Sequence, residues 1–393
     1  MGSCWETGII MDASFAMQNA KRLKLGLEPN FEEAVKTSVL SKRWEFLWTS
    51  ITKLEFTDDF VQSDEKRAEF MNFVERALLL HDSSSINTFS LTCEVPTDGS
   101  LPRINSWINA ALRHNVQKMM LRLDFEHCHG LFMLPRHLFA CESLKELELD
   151  FFFDLRLPSF VYFPNLKILT LSRVFFMDDN SVQQLFSSCP KLEKLDLFLC
   201  EWSSVKAVHV SAPVLEHLEI YEVAADLDTE PDCQFMIAGP RLKFFHYTGE
   251  LKNDYCIFDS PLLVDAHVDV DLRLFHMNTG GQRQAAYRAH KLLRGLANVK
   301  DLHVSPRTLN VLLVAEELVA CLPLFHNLNH LEVSGGTLNF ASGTLLKILQ
   351  NSPHLESIYF AMGIRLSALS VRDGWRLDPV PPCFLTHLKT LKV

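Results

Sequence analysis

A short phrase recurs along this chain and restricts its fold more than anything else in it. The phrase is an apolar residue, two variable residues, an apolar residue, one variable residue and an apolar residue. It reads Leu144-Lys-Glu-Leu147-Glu-Leu149, Leu166-Lys-Ile-Leu169-Thr-Leu171, Leu192-Glu-Lys-Leu195-Asp-Leu197 and Leu215-Glu-His-Leu218-Glu-Ile220, then more loosely Leu242-Lys-Phe-Phe245-His-Tyr247. Later copies begin at Val299, Leu328, Leu355 and Leu388. Recurrence at a period of about twenty to thirty residues marks a solenoid. One such unit cannot bury its own apolar face, so neighbours stack into a continuous core. The expected fold is an α/β solenoid: a curved parallel sheet with helices or looser crossovers on the convex side.

Between the phrases lie stretches with helical spacing, such as Ser181 to Phe186, Ala286 to Leu296 and Leu345 to Leu349. Leu54-Glu-Phe56 is a possible first strand, and the stretches from Ile86 and Val116 are degenerate early copies. The wide gap between Leu242 and Val299 hides one poor copy, Leu263-Val-Asp-Ala266-His-Val268.

In a strand, alternate side chains face opposite ways, so the residues between the apolar positions point out from the sheet. In three successive units those outward positions carry aromatics and histidines, with one glutamate among them: Phe198, then His217, Glu219 and Tyr221, then Phe244 and His246. Aromatics give large contact area at low entropy cost. These six residues are the candidate substrate-binding set on the concave face. The competing reading is that ragged units are out of register and some of these side chains are core.

Composition narrows the function classes. The 393 residues are 48% apolar and 22% charged, with a formal net charge of −10. That acidic balance argues against a nucleic-acid partner. The richest apolar run, Leu309 to Leu324, is broken by Asn310, Glu316 and Glu317, so no membrane partner is expected. There is no apolar leader and no Asn-X-Ser/Thr acceptor, and the 10 cysteines have no pairing pattern. An intracellular protein with thiols buried in the repeat core is expected, in cytoplasm or nucleus. Lys21-Arg22-Leu23-Lys24 reads either as a nuclear address or as a chance cluster.

Chemistry-bearing motifs are sparse. His127-Cys128-His129 is a compact metal-capable run, but an adjacent triple cannot aim all its ligands at one ion. No phosphate-cradling glycine loop or nucleophile elbow is found, and Asp178-Asp179 and Glu316-Glu317 read as solvated helix starts. No catalytic residue, metal or cofactor is expected. Around Ser41 two short helices meet, with Trp44, Leu47 and Trp48 clustered at helical spacing. Spacing alone leaves open whether they cap the first repeat or carry a function.

The stretch Ala34-Val-Lys-Thr-Ser-Val-Leu-Ser-Lys-Arg-Trp44-Glu-Phe-Leu-Trp48-Thr-Ser strongly resembles the second half of the F-box in plant F-box proteins with leucine-rich repeats. Phe73 to Leu80, Ile104 to Ala111 and Cys189-Pro-Lys-Leu192-Glu-Lys-Leu195 resemble that family too, and Cys383 to Val393 resembles the opening of its FBD segment. The resemblance implies a substrate-recognition subunit of an SCF-type ubiquitin ligase, with Val39, Leu40, Trp44, Leu47 and Trp48 in F-box helices that dock on the SCF adaptor subunit. It implies a protein substrate held on leucine-rich repeats over residues 51–380, after a disordered segment at 1–30 and a partial F-box at 31–50, and before the start of an FBD-like segment at 381–393. Gly26-Leu-Glu-Pro-Asn-Phe-Glu stands where the family has its first F-box helix. A truncated splice form or gene model would explain both ends. The alternative is a repeat-only binding module that no longer reaches the ligase.

Overall fold

A computed structural model of the chain describes residues 51–58, 64–81, 85–95, 101–124, 133–222, 233–270, 279–336, 338–339, 343–365 and 379–393. Val39, Leu40, Trp44, Leu47, Trp48 and the His127–His129 run lie outside the described residues. The chain divides into two compact units, one over Met1–Gly130 and Leu134–Leu147, the other over Leu131–Met133 and Glu148–Val393.

In the first unit, parallel strands β1 (Lys53–Thr57), β2 (Thr88–Glu94) and β3 (Lys118–Asp124) pair in chain order. Helices α1 (Asp64–Leu80) and α2 (Leu101–Arg113) make the crossovers. In α2 the buried residues Ile104, Trp107, Ile108 and Ala111 fall at i, i+3, i+4 and i+7, the spacing of one helix face. Arg103 ties the two helices together by donating to Glu75 at 2.6 Å and Asn72 at 2.9 Å. Strand β4 (Glu146–Asp154) begins in this unit and ends in the next.

The second unit is built on parallel strands that each hold one copy of the phrase. These are β5 (Ile168–Phe175), β6 (Lys194–Phe198), β8 (His217–Tyr221), β10 (Phe244–Gly249), β12 (Asp265–Val270), β13 (Asp301–Val304), β14 (His330–Val333), β16 (Ser357–Phe360) and β18 (Thr390–Lys392), hydrogen-bonded in that order. Each pairing joins equivalent positions, as in Leu195 opposite Leu218 and Leu218 opposite Phe245. The phrase residues form the core: Leu166, Leu169, Leu171, Val299, Leu302 and Val304 are all 0% exposed. The poor copy at Leu263 is strand β12, with Ala266 and Val268 fully buried. In the copy at Leu388, Leu391 is exposed.

The crossovers are of two kinds. Helices α3 (Asp179–Ser187), α4 (Thr279–Gly295), α5 (Pro306–Leu312), α6 (Glu316–Ala320) and α7 (Gly343–Gln350) serve some coils, with the short helix α8 (Pro382–Thr386) before β18. Three consecutive coils instead return through β7 (Ala207–Ser211), β9 (Gln234–Ala238) and β11 (Asp254–Phe258), which pair into a second parallel sheet. That second sheet was not anticipated from the repeat phrase. Its strands are short, rich in β-branched and aromatic residues, and alternate with period two: Val208 and Val210, Phe235 and Ile237, Tyr255 and Ile257 are buried. A minor pair joins β15 (Leu338–Asn339) to β17 (Ile364–Arg365).

An aromatic column fills these coils. Trp202 stacks on Phe176 at 4.5 Å and meets Phe235 edge-on at 5.0 Å, Phe235 packs on Tyr255 at 4.8 Å, and Tyr255 on Tyr247 at 5.1 Å. Both tyrosine hydroxyls donate to the Glu222 carboxylate, which also accepts from Asn253 Nδ2 at 2.7 Å and the Lys252 backbone N–H at 3.2 Å. Burial, then the neighbouring Glu222 charge, pushes both phenols well above their ordinary range, so they remain donors. Gly249 leaves room for this network: a Cβ there would lie 2.6 Å from the Glu222 Cβ.

Residues of the expected solvated pair have separate tasks. Asp178 caps α3 by accepting from the Ser181 N–H at 2.8 Å, and Asp179 accepts from the Lys206 N–H at 2.6 Å just before β7. Of the described cysteines, Cys93, Cys189, Cys233 and Cys383 are buried, Cys141, Cys200 and Cys256 are half-buried, and Cys321 is exposed, so the expected burial holds for part of the set. The apolar run from Leu309 is split between α5 and α6, and among the described residues no helix is long and apolar enough to cross a membrane.

Candidate functional site

Because the strands of the second unit are parallel and in register, their outward residues form rows that cross the sheet. One row runs Lys194, His217, Phe244, Asp265, Asp301 and His330. The next runs Asp196, Glu219, His246, His267, His303 and Glu332. A third holds Phe198, Tyr221, Thr248 and Asp269. Adjacent strands lie about 4.8 Å apart, so row neighbours touch.

The six substrate-face candidates therefore stand together, on β6, β8 and β10. Tyr221 and Phe244 are each 42% exposed, while Phe198, His217, Glu219 and His246 are half-buried. The His217 ring stacks on Phe244 with centroids 4.5 Å apart. Glu219 lies 3.7 Å from the His246 Nδ1. His217, Glu219, Phe244 and His246 line a shallow recess of about 300 Å³. Phe198 and Tyr221 sit beyond its lining, in the third row.

The recess also takes residues outside that set: Lys194, Asp265, His267 and His303. His267 was visible as an outward residue of the poor copy, but that copy's weak central Ala266 hid its rank as a full strand. The imidazoles form a ladder, His246 to His267 at 4.3 Å and His267 to His303 at 5.9 Å. Burial, and then the His246 and His303 neighbours, pushes His267 down to about 4, so the middle rung is uncharged at neutral pH. Burial also raises the Asp265 carboxyl above its ordinary value, against the opposing pull of His303. His303 bridges to Glu332 at 3.3 Å and lies 3.9 Å from Asp265.

Lys194, the cation of the recess lining, is held by Asp196 at 2.7 Å. Among the described residues no cluster of three or more His, Cys, Asp or Glu has metal-holding geometry. Burial pushes the Cys93 and Cys189 thiols up to about 12, which keeps them protonated and poor nucleophiles. The described residues bring an aromatic shelf, a histidine ladder and carboxylates together on one face of the sheet.

Comparison with known proteins bears on the whole chain. Residues 104–251 match the family described as FBD-associated F-box protein At5g56370, LRR repeats. The F-box/LRR-repeat protein At4g14103 of Arabidopsis thaliana is 31% identical over 340 residues, covering 84% of this chain and 86% of that protein. The Arabidopsis thaliana F-box/FBD/LRR-repeat protein At4g26340 is 30% identical over 366 residues, covering 92% of this chain and 80% of its own. The Arabidopsis thaliana F-box/FBD/LRR-repeat protein At5g56420 is 28% identical over 363 residues, covering 92% and 79%. With in-register phrase strands throughout and relatives matched over most of their length, the chain belongs to the plant F-box/LRR-repeat family.

Proposed function

We propose that this chain is the substrate-recognition subunit of an SCF-type ubiquitin ligase and holds a target protein against the open face of its repeat sheet. Membership of the F-box/LRR-repeat family carries the reading. The gathering of Glu219, Phe244 and His246 around one recess supports the second half of it. In this role the chain supplies recognition and no bond chemistry, and it works in the cytoplasm or nucleus, where the ligase acts. Val39, Leu40, Trp44, Leu47 and Trp48 are its adaptor-binding residues.

A second reading rests on one sequence observation: Gly26-Leu-Glu-Pro-Asn-Phe-Glu replaces the usual helix start ahead of Ala34. In this reading the chain acts as a repeat-only binding module. A titration of the purified chain against the SCF adaptor subunit separates the two, with Trp44→Ala/Trp48→Ala alongside. Affinity in the micromolar range or tighter, lost in the variant, supports the ligase subunit; no binding leaves the repeat-only module.

A further inference from the structure

The outward positions of β8, β10, β12, β13 and β14 contain no lysine or arginine at all. They carry instead the carboxylates of Glu219, Asp265, Asp269, Asp301 and Glu332, together with five histidines. At the margins Lys194 is engaged with Asp196 at 2.7 Å and Lys243 with Glu216 at 2.9 Å, while Lys300, just before β13, is exposed. The recess at the centre of this region has a mixed wall. The His217–Phe244 stack presents an aromatic surface, with Phe244 42% exposed, and two carboxylates flank it in the same lining: Asp265 opposite Phe244 on β12, and Glu219 two residues after His217 on β8. A ring face beside carboxylates suits a planar cation, which stacks on the ring and hydrogen-bonds to the acids. At about 300 Å³ the recess has room for one long side chain.

We propose that the open face from β8 to β14 docks an arginine- and lysine-rich segment of the partner protein, with one arginine seated between Phe244 and the carboxylates of Glu219 and Asp265. The inference rests on the recognition role proposed above and gives the partner's chemistry. Charge complementarity identifies the occupant: an acidic segment would meet five carboxylates without an available cation on these strands. Three histidines, His246, His267 and His303, stand between Glu219 and Glu332 along one row, while Asp265 and Asp301 lie side by side in the other and concentrate negative charge there.

The test uses the full chain with a fluorescein-labelled oligoarginine peptide and an oligoglutamate peptide of equal length. Expected is saturable binding of oligoarginine, falling at least about tenfold between about 0.05 and about 0.5 M salt, and none of oligoglutamate. The variant Glu219→Gln/Asp265→Asn/Asp301→Asn/Glu332→Gln should lose at least about tenfold in affinity. A control with the same charge change elsewhere, Glu65→Gln/Glu69→Gln/Asp259→Asn/Glu316→Gln, should bind like the parent. Equal loss in both variants, equal binding by both peptides, or no binding of oligoarginine to the parent would each overturn the inference. If the face variant unfolds, Phe244→Ala is read in its place, with a several-fold loss expected and an unchanged affinity counting against. The adaptor titration is read on the same preparations. Peptide binding lost with adaptor binding intact sinks this inference alone; the reverse sinks only the ligase reading.

Discussion

Glu222 shows how much one side chain can organise. Its two oxygens satisfy two phenols, an amide and a backbone N–H at the junction of the two sheets. Glu222→Ala leaves those donors without their acceptor, at a cost of on the order of 3 kcal/mol by urea unfolding. Gly249→Ala should cost somewhat less, because the new methyl displaces the Glu222 stem while its carboxylate can still be reached. His267 predicts a pH effect whose direction is fixed. Its folded value of about 4 lies below the ordinary 6.5, so between those limits the unfolded chain binds more protons. Its contribution is full above pH 6.5 and is lost as pH falls toward 4. Allowing for the ring's partial exposure, the loss is on the order of 1 to 2 kcal/mol. Asp265, raised from its ordinary value, works in the opposite sense at the acid end. Comparing His267→Gln with the parent by thermal melts from pH 7 to pH 4.5 isolates the histidine, and parallel curves would refute the assignment. At this scale, the outward positions of Phe198 through His246 were legible from the phrase, because strand alternation needs only the spacing. The Glu222 network was not, since its members lie in separate coils and carry no pattern among themselves.

Among the elements, helix α3 depends on its cap. Hydrogen bonds from the Ser181 hydroxyl and backbone hold the Asp178 carboxyl below its ordinary value, so that contribution exists above the unfolded value and fades as pH falls through the folded one. Asp178→Ala should cost about 1 kcal/mol at neutral pH, with circular-dichroism melts as the measure. Trp202→Ala should cost more, about 3 to 5 kcal/mol, because it opens a cavity between Phe176 and Phe235. Hydrogen exchange in that variant should rise first in β7 and β9. Main-sheet strands before β18 were readable because each repeats the same buried triad. Strands β7, β9 and β11 escaped because two buried side chains in five residues make too short a pattern, and what fixes them is pairing with one another. Helix α4 ends at Gly295, where a Cβ would come within 2.8 Å of the Ile257 carbonyl oxygen, so that packing too was invisible in the periodicity.

Over the whole molecule, stability is spread along a series of nearest-neighbour contacts rather than held in one centre. Leu218 on β8 is flanked by Leu195 and Phe245, so Leu218→Ala should raise amide exchange in β6, β8 and β10 while leaving β16 close to its parent rate. The parallel register has a further consequence for whatever lies across the strands. Rows advance about 4.8 Å per coil, whereas same-side residues of an extended partner advance about 6.8 Å. The two scales coincide about every 14 Å, after three coils and two partner steps. Like a vernier, the face would read an extended segment laid across it at every fourth residue and pass over those between; Glu219 on β8 and Asp301 on β13 fall within one such interval. Sequence preference would then live in the spacing of a partner's cations more than in their number.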